Sequence, residues 1–123
     1  MLVNITGSHL RPGRISLIEG RFKIAVLSFR FEMEDKPDKT EILCLKTNLI
    51  PSNQKNQDQI LCFMTAEKNQ RFVTFTPTQL TPFPLVSRRI DTGRFFVTKL
   101  DGTDVELVQA ALQITLRQIG QGE

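Results

Sequence analysis

The sequence predicts an all-β fold, a single-domain antiparallel β-sandwich that is jelly-roll-like and spans residues 1–123. Three observations predict it. Short apolar runs recur along nearly the whole chain, each closed by a turn signal, at the roughly ten-residue spacing of sandwich strands. Those runs are rich in β-branched and aromatic side chains, which pack well on a pleated, half-buried surface. Asp101-Gly102 joins two of them, and Asp-Gly is a strong hairpin signal because a two-residue type I′ turn needs positive φ at both central positions.

Residues 1–6 read as the first strand, and Gly7 to Gly13, with Pro12-Gly13, as a loop. Ile15 to Ile18 follows as a short strand. Phe22 to Met33 is the strongest one. Strict alternation puts Phe22, Ile24 and Val26 on one face and Ala25, Leu27, Phe29 and Phe31 on the other, so its middle is expected to be buried on both sides. Glu34 to Lys39 is a charged turn. Ile42 to Leu45 is a strand ending before Pro51, and Ser52 to Asp58 is a polar Asn/Gln loop. Ile60 to Met64 and Phe72 to Phe75 are strands joined by Ala66 to Gln70. Pro77, Pro82 and Pro84 cannot donate to a central ladder, so Thr76 to Pro84 is an extended edge or crossover. Leu85 to Ile90 and Arg94 to Leu100 are strands around Asp91-Thr92-Gly93.

A two-residue Asp101-Gly102 turn sets Lys99 opposite Asp104 and Phe96 opposite Leu107, both favourable cross-strand pairs. The tail supports two readings. Leu112, Ile114 and Leu116 alternate with Gln113, Thr115 and Arg117 as in a half-buried strand. Thr103 to Glu106 also fits a capping box, and Gly120 a helix stop, giving a short C-terminal helix as the alternative. The strand is favoured because its alternation continues the hairpin.

Composition narrows the function classes. The chain is long enough to bury a core, and 40% of its residues are hydrophobic. All nine aromatics are Phe, and without Trp or Tyr a sugar-stacking or antibody-like surface is disfavoured. The net charge of +3 is mildly basic, where nucleic-acid binders carry a denser basic stripe. Cys44 and Cys62 have no metal-site spacing. The first residues lack a charged n-region and a long apolar stretch, and no run is long enough to span a membrane. These features predict an unsecreted protein made in a reducing compartment with free thiols, a Cys44–Cys62 bridge being the alternative. Asn4-Ile5-Thr6 matches a glycosylation sequon by chance on this reading.

No motif carries chemistry strongly, and the sequence predicts a protein that is not an enzyme and takes no cofactor or metal. Asp91-Thr92-Gly93 is the loop tripeptide of retroviral-type aspartic proteases, in which two chains share a proton between paired carboxylates. Here Arg88-Arg89 precede it, Arg94 follows it, and about 30 residues remain, too few for a flap and a second half. The expectation is a turn in which Asp bonds its own backbone and Gly supplies positive φ. His9, the single histidine, has no nucleophile or ligand partner nearby in sequence. Arg88, Arg89 and Arg94 form one basic cluster, and Arg11, Arg14, Arg21 and Lys23 another. Either can contact phosphate or form an ordinary solvated rim. Pro82-Phe83-Pro84 is an arm that either inserts into a neighbouring subunit or covers a sheet edge.

The order of segments resembles small β-rich proteins of Polinton/Maverick elements and adintovirus-like DNA viruses, which are taken to be virion or fibre-like components. The resemblance runs through Leu17-Ile18-Glu19-Gly20-Arg21-Phe22-Lys23-Ile24-Ala25-Val26-Leu27, Leu43 to Ile50, Ile60-Leu61-Cys62-Phe63, Ile90 to Val97, Leu100-Asp101-Gly102 and Leu112 to Arg117. Val108 to Ala111 departs from it most, and the lack of Trp and Tyr departs from the family's aromatic variety. The resemblance implies a structural subunit of a virus-like particle (a minor capsid, vertex or fibre-like component), located in the virion and carrying no catalytic residues. Its partners would be copies of itself, a trimer being favoured, and other capsid proteins. Candidate interface residues are Pro77, Pro82, Phe83, Pro84, Arg88, Arg89 and Arg94, together with the exposed face of the last strands. The alternative is a monomeric β-sandwich binding module for a ligand or nucleic acid.

Overall fold

The computed structural model describes residues 2–10, 22–49, 59–84 and 93–118, and among these the chain is all-β with no helix. Its strands are β1 (Leu2–Thr6), β2 (Phe22–Met33), β3 (Glu41–Thr47), β4 (Gln59–Ala66), β5 (Phe72–Phe75), β6 (Phe83–Pro84), β7 (Phe95–Lys99) and β8 (Leu107–Gln118). They form two antiparallel sheets. The larger runs β1-β8-β2-β5, with β6 also on β2, and the smaller runs β4-β3-β7. The expected strands Ile15–Ile18 and Leu85–Ile90, and the loop Ser52–Asp58, lie outside the described residues.

The inner faces of both sheets contribute to one apolar cluster. Val3, Ile5, Ile24, Val26, Phe29, Phe31, Leu112, Ile114 and Leu116 come from the larger sheet, and Leu43, Leu45, Met64, Phe95 and Val97 from the smaller. β8 is central because its side chains alternate as the sequence predicts. Leu112, Ile114 and Leu116 are buried, and Val3 and Ile5 of β1 face Ile114 and Leu112 across the ladder. The tail is therefore a strand and not the alternative helix.

The middle of β2 is buried on both sides as expected, at Ile24, Ala25 and Val26, while the face assigned to Phe29 and Phe31 is corrected. Val26 pairs with Ile114 and Ser28 with Gln113, so Leu27 is an extra residue in a bulge. One added residue reverses the alternation. Phe29 and Phe31 thereby join Ile24 and Val26 on the core side, while Ser28, Arg30 and Glu32 face outward with Gln113, Ala111 and Gln109.

The register of the Asp101-Gly102 turn is corrected as well. Lys99 N donates to Thr103 O (2.9 Å), Gly102 N donates to Lys99 O (3.0 Å), and Thr98 pairs with Asp104. The loop thus holds three residues, Leu100 to Gly102. Only Gly102 has positive φ (+92°), where a type I′ turn would need it at Asp101 too. Asp101 Oδ1 instead accepts from Thr103 N (2.9 Å), and this bond holds the carboxyl below its ordinary value. Lys99 loses Asp104 as its cross-strand partner, and its Nζ lies 3.7 Å from Glu41 Oε1. At that separation the partly exposed pair contributes little. Gly102→Ala is expected to cost about 1 kcal/mol from backbone strain alone, since space around it is open. The thermal midpoint checks this.

Three connections cross between the sheets. β4 and β5 lie in different sheets, as do β2 and β3. β7 and β8 also separate after the turn, so β8 does not continue the hairpin. The proline-rich segment behaves as expected for an edge. β6 pairs with β2 at Lys23 and Ile24, on the side of β2 away from β8.

Candidate functional site

The two sheets expose outer faces of opposite character. On the larger sheet, strand alternation turns out Asn4, Thr6, Ser28, Arg30, Gln113 and Thr115, a polar surface with a floor of small residues such as Ala111. Shallow troughs of about 350 and 370 Å³ run over this floor beside Arg30 and Thr74. Phe72, Leu2 and Val108 are its exposed large apolar side chains, set on three different strands.

The smaller sheet turns out apolar residues. Ile42, Cys44 and Lys46 of β3 pair with Thr65, Phe63 and Ile60 of β4. On the other side Cys44 pairs with Thr98 and Lys46 with Phe96, and Leu100 follows at the end of β7. Ile42 is 46% exposed, Phe63 56% and Leu100 65%. Ile60 and Phe96 are half-buried. Cys44 and Thr98, at the centre, are buried even though they lie on an outward face. Thr98 Oγ1 satisfies itself by donating to Lys99 O (3.0 Å).

Charge sits at the two ends of this face. Lys46 and Arg94 lie at the end where β3 finishes and β7 begins. The Arg94 guanidinium stands 5.1 Å over the Phe96 ring, and Arg94 N donates to Asn48 Oδ1 (2.9 Å). Glu67 and Asp101 lie at the other end. Thr40 Oγ1 donates to Glu67 Oε2 (3.2 Å) there.

Five of the candidate interface residues, Pro77, Pro82, Phe83, Pro84 and Arg94, fall among the described residues. Phe83 is half-buried and packs against the chain's own core, with Pro82 and Pro84 exposed beside it and Pro77 half-buried. This arm edges the larger sheet, whereas Arg94 belongs to the smaller. Arg88, Arg89, Asp91 and Thr92 lie outside the described residues, as do Arg11, Arg14 and Arg21. Gly93 is described, while the expected turn at Asp91-Thr92 lies outside the described residues. A Cβ at Gly93 would meet Leu49 Cγ at 2.5 Å. Close packing against Leu49 requires the glycine. His9 gains neighbours that sequence distance concealed. It lines an open cleft of about 480 Å³ with Arg94, Asp104 and Glu106. No cluster among the described residues could hold a metal ion.

Cys44 and Cys62 are free. Leu45, not Cys44, pairs with Cys62, so the two thiols point to opposite faces of the sheet. Burial pushes both thiols up, Cys62 to about 12. A raised folded value means that the folded protein holds the proton longer than the unfolded chain. The stabilisation is complete below about pH 9 and is lost as pH rises toward 12, by about 1 kcal/mol per pH unit. A fall in denaturation midpoint confined to that window is expected, and Cys62→Ala should flatten it. A thiol reagent at pH 8 should react slowly with the folded protein and quickly in denaturant.

No family model, curated protein or solved structure matches this chain. No helix among the described residues is long and apolar enough to cross a membrane.

Proposed function

We propose that this protein is a structural, self-associating subunit of a virus-like particle, built as a jelly-roll-like β-sandwich. The observation that carries the reading is the apolar outer face of the three-stranded sheet. The core already lies between the two sheets, so Ile42, Phe63 and Leu100 are a second apolar set left in solvent on one surface. Exposed apolar groups gathered on one face mark contact sites more often than scattered ones.

Strand order supports the fold half of the reading. In a double Greek-key jelly roll, one sheet holds the first, eighth, third and sixth strands and the other the second, seventh, fourth and fifth. The order β1-β8-β2-β5 over β7-β3-β4 follows this arrangement with the second strand unassigned beside β7. Leu10 bridges Phe95 at that place, and Ile15–Ile18 follows it in sequence. Viral capsid proteins, lectins and cupins share this architecture, so the fold is an analogy and the exposed face carries the function.

The test is the solution mass of the purified chain by light scattering across a concentration series. A mass that settles at a fixed multiple of 14.0 kDa supports self-association, and a monomer throughout removes it. The second reading, a nucleic-acid-binding module, is favoured by one feature. Lys23 and Arg117 sit opposite each other on the outward face of β2 and β8, two cationic side chains that a phosphate backbone would meet together. Retention of DNA that falls steeply with salt would support it.

A further inference from the structure

We propose that the outer face of the β4-β3-β7 sheet is a two-fold, isologous contact with a second copy of this chain. The inference rests on the self-association reading and adds its surface, partner and orientation.

Charge layout selects the second copy. The centre of the face is apolar, formed by Ile42, Phe63 and Phe96, and the charged groups stand at its ends, the anatomy of a contact with an apolar core and polar rim. At one end, residues 46–49 and 93–96 carry the cations Lys46 and Arg94 and no carboxylate. At the other, residues 34–41, 67–71 and 99–104 carry seven carboxylates against five cationic side chains. Glu67 and Asp101 stand at the rim of that end. A two-fold axis between two such faces, running across the strands, lays the cationic end of each copy over the acidic end of the other. It also brings Phe63 and Ile42 of both copies onto one shared apolar centre. An axis along the strands would set cations against cations. The face is thus complementary to itself in one orientation, which is the requirement for a closed two-fold contact.

The test uses the full chain with sedimentation and light scattering over a concentration series. Phe63→Asp is expected to weaken association about 30-fold or more, the size of a central contact residue. Its exposed position leaves the fold intact, which circular dichroism checks. Ile42→Asp is a second probe should Phe63→Asp fail to fold. Phe72→Asp, on the other sheet, is expected to change nothing. Lys46→Glu and Glu67→Lys should each weaken self-association, and mixing the two variants should restore a pair, because both ends of the mixed dimer are complementary. No recovery on mixing overturns the orientation. Loss in Phe72→Asp but not in Phe63→Asp overturns the surface and leaves self-association standing, as does a mass of three chains. A monomer at every concentration overturns both this contact and the self-association reading.

Discussion

Replacing Phe29 by alanine is expected to lower the unfolding free energy by about 3–5 kcal/mol. Phe29 has no solvent exposure and heads the largest fully buried side chains. Its ring packs on Phe31 with centroids 4.8 Å apart at a 33° tilt, an arrangement that adds about 0.5–1.5 kcal/mol beyond area burial. On β2 it faces Leu112 of β8 on one side and Phe75 of β5 on the other, so truncation opens a void that three strands must collapse into. Against a typical total of about 5–15 kcal/mol, the loss is a large share of stability. The urea midpoint should fall at an unchanged slope. Phe72→Ala, on an exposed neighbour, should stay within about 0.5 kcal/mol. A small effect at Phe29 would mean that the core does not close over it.

The second large effect is expected at Gly93. An alanine Cβ there would lie 2.5 Å from Leu49 Cγ and 2.6 Å from both Leu49 Cδ atoms. Leu49 is itself buried in the core cluster, and its backbone N–H donates to Thr47 Oγ1 (3.2 Å), so the residue has little room to retreat. Overpacking of this kind costs about 1–3 kcal/mol. Leu49→Ala alone should cost about 2–5 kcal/mol through its cavity. The double variant should cost clearly less than the two losses added, because the truncated leucine vacates the space that the new methyl needs. Additive losses would show that the strain lies in the backbone at Gly93. A coupled result accounts for the glycine of Asp91-Thr92-Gly93 by packing alone.

Both positions show how far the sequence could be read. Phe29 is recognisably a core residue from its apolar surroundings, yet simple alternation puts it on the wrong face. The bulge at Leu27 depends on how β2 meets β8, and nothing in β2 alone marks it. The turn at Asp101-Gly102 was likewise legible as a turn, while its three-residue form depends on Lys99 pairing with Thr103. His9 seemed isolated because Asp104 and Glu106 are about a hundred residues away in the chain, although they line the same cleft. The apolar outer face was equally hidden. Ile42, Phe63 and Leu100 sit in three different runs, each of which reads as ordinary core.

The sequence by itself determined the class of the fold, and it favoured a strand at the tail, an edge or crossover role for the proline segment, and free thiols. The first three follow from local properties: alternation, turn chemistry and the missing N–H of proline. Tertiary structure alone decided which strands share a sheet, where bulges reset the alternation, and which apolar residues remain outside. Those depend on pairing between strands far apart in the chain, and the free energy of such pairing belongs to both partners and is written in neither segment alone.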